Sequence, residues 1–235
     1  MDIIKPMMTA RHYAALEENP FGHFLNMPKI YHSFLNVSAL LKKTYNVETR
    51  TFWFGGKTIP VVFDPREFCI MMGLQFKGIP IDKNLKIETP FIRRVFGGKL
   101  TQVKRHQIAE KLEEYAVRTD QQSIEDFCRL YIIFACNTFL LPKGNFQLPR
   151  YVYPHVEKLE RVGDFAWGKL VYDVLIENIE AHLAGAGGYF DGCTIGLLAW
   201  VSERITSLGF ARTHTRQGNN FDLCIFIVLF AYVIN

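Results

Sequence analysis

The chain has 235 residues, 49% apolar and 21% charged, an ordinary globular composition long enough for a sizeable core in one domain with at most a small appendage. Its net charge of +4 is mild and permits an anionic partner without arguing for one. Five cysteines, odd in number, widely spaced and with no CxxC pair, and a start without an apolar signal core, read as reduced, buried thiols in an intracellular protein.

In chain order, Ala10 to Glu18 reads as a short helix ended by Asn19-Pro20. Pro28 to Tyr45 is a longer one, with Ile30, Phe34, Val37 and Leu41 on a helical period and Lys42-Lys43 near its C-terminus, where cations suit the dipole. Thr49–Phe54 and Lys57–Phe63, divided by Gly55-Gly56, read as a β-hairpin. Asp64-Pro65-Arg66-Glu67 is a helix start, and Gly73 closes that helix. A looser region follows, Gln75 to Leu100, broken by Pro80, Pro90 and Gly97-Gly98. Thr101 is placed to cap a further helix reaching Val117.

Two central helices then organise the chain, about 123–141 and 164–184. The first, with Ser123 as its cap, is apolar on nearly every face, as a helix buried on all sides must be. Its uninterrupted apolar run, Leu130 to Cys136, falls far short of the roughly 18–20 residues of a membrane span, so none is expected. Pro142 stops it. The second, capped at Asp164, sets Phe165, Trp167, Leu170, Val171, Val174 and Leu175 on one face. The glycines of 185–188 read as a helix C-cap and turn; they lack the spacing of a phosphate loop. Asp191 opens a last helix, Cys193 to Ser207, and residues 221–235 form an atypical apolar tail. The fold expected is mainly α with a small β-hairpin, a single helical domain over 25–207 between an N-terminal extension, 1–24, and the tail, 208–235.

No constellation carries catalysis. Histidines and cysteines show no HExxH or zinc-ligand spacing, and GxSxG and the kinase motifs are absent, so no catalytic residue, cofactor or metal is assigned. Carboxylate pairs such as Glu125-Asp126 read as solvated or capping groups. One charged stretch stands out: Lys83, Lys86, Arg93, Arg94, Lys99, Lys104 and Arg105, interleaved with Phe91 and Phe96 and opposed by Glu88 alone. Basic side chains among aromatics can contact phosphates and stack bases, so these are candidate nucleic-acid contacts; a solvated basic loop is the plainer reading.

The segments FWFGGKTIPVVFDPREFCIMMGLQFKG, IRRVFGG, FCRLYIIFACNTFLLP, YVYPHVEKLERVGDFAWGKLVYDVLI and GGYFDGCTIGLLAWVSERI, in that order, resemble the plant mobile domain, also labelled aminotransferase-like. They equally resemble the related plant domain of unknown function upstream of Ulp-type protease domains in Mutator-like transposable elements. The resemblance rests on Phe63, Glu67, Phe68, Gly73 and Leu74, on Trp167-Gly168, and on Gly192-Cys193 with Trp200 and Glu203-Arg204. It implies a helical, transposon-derived, nuclear domain tied to transposable elements or their silencing, sometimes alongside a protein phosphatase. The label implies no activity here, because no pyridoxal-phosphate lysine with a phosphate cradle is present, and no protease activity is inherited. The expectation is a non-enzymatic protein-interaction domain; the alternative is nucleic-acid binding through 83–106.

Overall fold

The computed structural model describes residues 4–27, 34–85, 87–97, 103–186 and 190–207. In chain order these form α1 (Ala10–Glu17), α2 (Phe34–Thr44), β1 (Tyr45–Asn46), β2 (Thr51–Phe54), β3 (Ile59–Val62), α3 (Pro65–Met71), α4 (Pro90–Phe96), α5 (Arg105–Ala116), α6 (Gln121–Ala135), α7 (Val152–Val156), α8 (Trp167–Leu183) and α9 (Thr194–Ser207). The architecture is the expected one, mainly α with a small antiparallel sheet of order β1-β2-β3.

The apolar pattern of α6 does what it implies: Ile124, Phe127, Leu130, Tyr131, Ile132 and Ile133 are all buried, with α1, α5 and α7 packed around them. Its cap is Asp120 rather than Ser123, the carboxylate accepting from the Ser123 N–H at 2.9 Å. A carboxylate meets the positive helix terminus better than a neutral hydroxyl does. The helix also changes character before Pro142. Cys136–Leu140 is a π-turn in which the Leu141 N–H donates to the Cys136 carbonyl at 2.7 Å, and Asn137 lies within it, fully buried.

The second central helix starts at Trp167, not Asp164; residues Leu159–Asp164 are a 3-10 turn. The Asp164 carbonyl accepts from the Ile79 N–H at 2.8 Å and its carboxylate holds Arg161 at 3.2 Å. Phe165 therefore stays extended and pairs with Ile79 before the helix begins. On α8, Leu170, Val171, Leu175 and Ile179 face the core. Tyr172 donates its hydroxyl to the Phe63 carbonyl at 2.6 Å, joining α8 to the end of the hairpin.

The hairpin register is Phe52↔Val61 and Phe54↔Ile59, which points Phe52 and Phe54 inward and leaves Trp53 on the outer face. Tyr45, read from sequence as the last helical residue, instead starts β1 and pairs with Phe52. Asp64 caps α3 as predicted, accepting from the Arg66 and Glu67 N–H groups at 2.7 and 3.1 Å, and Gly73 follows its end at φ 62°. Inside the stretch read as loose lies α4, capped by Thr89 with Pro90 in its first turn. The predicted cap Thr101 lies outside the described residues; α5 starts later, its N-cap Lys104 donating its N–H to Gln107 Oε1 at 2.9 Å. Asp191 does not open the last helix. Its carboxylate accepts from the Gly144 N–H at 3.0 Å, and α9 begins at Thr194.

Residues 4–24, set apart in the sequence as an extension, share the same core. Arg11 donates to the Thr119 carbonyl and to Gln121 at 2.7 and 2.9 Å. Phe21 is fully buried edge-on to Trp167, ring centres 5.3 Å apart, and its carbonyl accepts from Tyr131 at 3.2 Å. The tail, 208–235, lies outside the described residues. Among those described, no helix is long and apolar enough to cross a membrane.

Candidate functional site

The basic stretch comes first. Lys86 and Lys99 lie outside the described residues. The others do not form one free patch. Lys83 reaches Glu177 on α8 at 2.7 Å and Arg93 pairs with Glu88 at 3.1 Å. Arg105 donates to both the side chain and the carbonyl of Asn137, at 3.2 and 3.1 Å, and lies over the Phe146 ring; its burial lowers its pKa. Lys104 stays exposed at the start of α5, with no ion pair among the described residues.

Arg94 has the most structural role of the set. Its Nε and Nη2 each donate to Asp126 at 2.7 Å, one to each carboxylate oxygen. This fork, with the charge it faces, raises the Arg94 pKa. Asp126 is 1% exposed and also accepts from Arg129 at 2.9 Å and Gln122 at 3.3 Å. Arg129 in turn donates to the Glu157 carbonyl at 2.9 Å, and the Glu157 carboxylate accepts from the Phe91 N–H at 3.2 Å. The network binds α4, α6 and α7 together. Asp126, read as a solvated first-turn carboxylate, is its buried centre.

The described cysteines, Cys69, Cys128, Cys136 and Cys193, are buried free thiols, and Cys224 lies outside the described residues. Burial pushes Cys69, Cys128 and Cys193 up to about 12, so each stands as the protonated, unreactive form at neutral pH. Among the described residues no group of histidines, cysteines and carboxylates has a metal-holding arrangement.

The residues that carry the sequence resemblance are packing residues. Trp167 is buried and donates Nε1 to the Val162 carbonyl at 2.8 Å. Gly168 beside it lets α8 close on α3: a Cβ there would lie 2.6 Å from Cys69 Sγ and 2.8 Å from the Gln75 carbonyl. Trp200 is fully buried against Phe52 and Phe63, and Arg204 reaches Glu67 at 2.6 Å.

The surface offers a groove of about 340 Å³ between the start of α4 and the α7–3-10 turn. Ile87, Pro90, Pro154, His155 and Phe165 supply apolar lining, and Glu88, Glu157, Lys158 and Arg161 its rim. His155 stands edge-on to Phe165 at 4.9 Å and donates Nδ1–H to the Tyr151 carbonyl, which fixes the ring. The Ile79–Phe165 bridge holds the other wall, and both Ile79 and Ile87 remain exposed. Of the rim charges, Glu88 and Arg161 have ion-pair partners and Glu157 accepts from Phe91, whereas Lys158 has no ion pair among the described residues. Sequence reading missed this groove because its walls come from segments some seventy residues apart; the one local signal was Thr89-Pro90, a helix start that places Ile87 just outside the helix.

A family model described as Domain of unknown function (DUF8566) matches residues 1–198. No curated protein and no solved structure matches the chain. With the match running from the first residue into α9, the chain is a member of the DUF8566 family.

Proposed function

We propose that this chain is a non-enzymatic protein-interaction domain that docks a segment of a partner protein in the groove between Ile87 and Phe165. The observation that carries the reading is an open apolar groove with a rigid aromatic wall and a single rim cation, Lys158, outside any described ion pair. Such a groove suits an extended segment carrying a bulky apolar side chain with an acidic residue beside it. The nuclear, transposon-linked setting and a phosphatase-type partner are supported by the motif resemblance alone. Nucleic-acid binding through 83–106 has less support, since Lys83, Arg93, Arg94 and Arg105 each already hold a partner from the chain itself.

The test is selection from a random peptide display library on the full chain. Selected peptides converge on an apolar residue flanked by an acidic one, and lose binding to Ile87→Asp and to Lys158→Glu. Selections that fail to converge, or peptides indifferent to both variants, remove the reading.

A further inference from the structure

A second concavity, on the opposite kind of chemistry, lies where α2 runs into the sheet. It measures about 390 Å³ and is lined by Lys42, Lys43, Tyr45, Asn46, Trp53 and Lys57, with Thr44 at its back. The three lysines are exposed, and none has an ion pair among the described residues. This sets them apart from Lys83, Arg93, Arg94 and Arg105, each of which holds a partner from the chain. Among the described residues no carboxylate lines the concavity.

The helix dipole accounts for Lys42 and Lys43, which sit in the last turn of α2. It does not account for Lys57. That residue stands in the hairpin loop at φ 69°, the left-handed region where glycine or asparagine sits at less cost. The other two non-glycine residues in that region among those described have side-chain partners: Arg50 (φ 50°) pairs with Glu180, and Phe146 (φ 59°) lies under Arg105. The Lys57 angle belongs to the loop closed by the Thr58 N–H on the Phe54 carbonyl at 3.0 Å; its exposed side chain has no such contact among the described residues and adds a third positive charge to the same concavity. Trp53 completes the arrangement. The strand alternation that buries Phe52 and Phe54 turns its indole outward, half-buried between the lysines.

We infer that this concavity binds single-stranded nucleic acid, with a base stacked on Trp53 and the flanking phosphates on Lys42, Lys43 and Lys57. Flexible ammonium groups around a flat indole match a backbone of point charges with a planar group between them. An anionic membrane fits less well, because Trp53 is a half-buried wall of a depression rather than a protruding side chain. An acidic polypeptide would use the lysines but leave the indole face idle. The site is separate from the Ile87–Phe165 groove, and either can fail without the other.

Fluorescence anisotropy of a labelled deoxythymidine oligonucleotide with the full chain, over a salt series, tests it. Competitors are the matching duplex, polyglutamate and phosphatidylserine vesicles. The single strand binds best, and affinity falls with salt. The triple variant Lys42→Gln/Lys43→Gln/Lys57→Gln weakens binding at least tenfold and flattens the log–log salt slope by about 2, from ~0.7 per neutralised phosphate. Trp53→Leu weakens binding several-fold while leaving the slope unchanged, because it removes stacking and no charge. Lys158→Gln, in the other groove, changes nothing. Circular dichroism confirms that each variant is folded. Absence of binding at low salt, equal competition by polyglutamate, preference for duplex or vesicles, or indifference to the triple variant or to Trp53→Leu in folded protein overturns the inference.

Discussion

Arg94 on α4 grips both carboxylate oxygens of Asp126 on α6, each at 2.7 Å, although the two residues lie thirty-two positions apart. The pair is asymmetric. Asp126 is almost fully buried, while the Arg94 side chain is 39% exposed. Removing the carboxylate leaves the buried Arg129 only its longer contact with the part-exposed Glu125, at 3.6 Å, and leaves Arg94 without its fork, so Asp126→Ala should cost about 3–5 kcal/mol. Arg94→Ala leaves Asp126 still paired with Arg129 and Gln122, and should cost about 1–2 kcal/mol. Urea denaturation of both variants measures the difference, and an equal or reversed order would refute this account of the network. A practical consequence follows for any nucleic-acid assay: loss of binding in an Arg94 variant must be checked against loss of folding.

Gly168 sets the distance between α8 and α3. The contacts that a Cβ would meet include the Gln75 carbonyl, which itself accepts from the Gly168 N–H at 2.9 Å, so backbone would have to move. Gly168→Ala should destabilise the chain by about 1–3 kcal/mol despite alanine's better helix propensity. The gentler control is Gly163→Ala, where a Cβ would meet nothing within 4 Å. Thermal unfolding of the two side by side decides it: similar midpoints would mean that the close approach carries no stability.

These two sites also mark what could be read from the sequence. Local chemistry was legible: the Asp64 cap, Pro65, Gly73 and the hairpin divided by Gly55-Gly56 are settled by residues within a turn of one another. Partnership across the chain was not. Asp126 looks like a first-turn carboxylate until α4 delivers Arg94, and α4 itself was hidden because Pro90 reads equally as a breaker or as the first residue of a helix. The charge of 83–106 was legible, but Glu177, Asp126 and Asn137 reach it from α6, α8 and the π-turn. For the same reason Lys57 gave no signal: its weight depends on a backbone angle and on two lysines a helix away.

The described thiols should be inert in the folded chain. Burial holds Cys69, Cys128 and Cys193 near 12, and Cys136 is raised by the same cause. With Cys224 replaced by serine, a thiol-reactive dye at pH 7.5 should label none of them in minutes and all four in concentrated urea. Rapid labelling of one cysteine in native protein would expose an accessible thiolate and reopen the question of nucleophilic chemistry.

His12 gives the fold a pH dependence of definite sign. It is fully buried near the start of α1, its Nδ1 accepting from the Thr9 N–H at 3.2 Å, edge-on to Phe127 at 4.8 Å. Burial lowers its pKa below the ordinary 6.5, partly opposed by the Tyr115 carbonyl. The unfolded chain therefore binds the proton first, and the neutral ring favours the fold. That contribution is fully present above about pH 6.5 and declines as the pH falls through and below that value towards the depressed native pKa. His12→Gln keeps an acceptor for the Thr9 N–H but does not titrate. Urea midpoints measured from pH 7.5 to 5 should fall more steeply for the parent chain than for His12→Gln; parallel curves would show that His12 does not become charged on unfolding in this range.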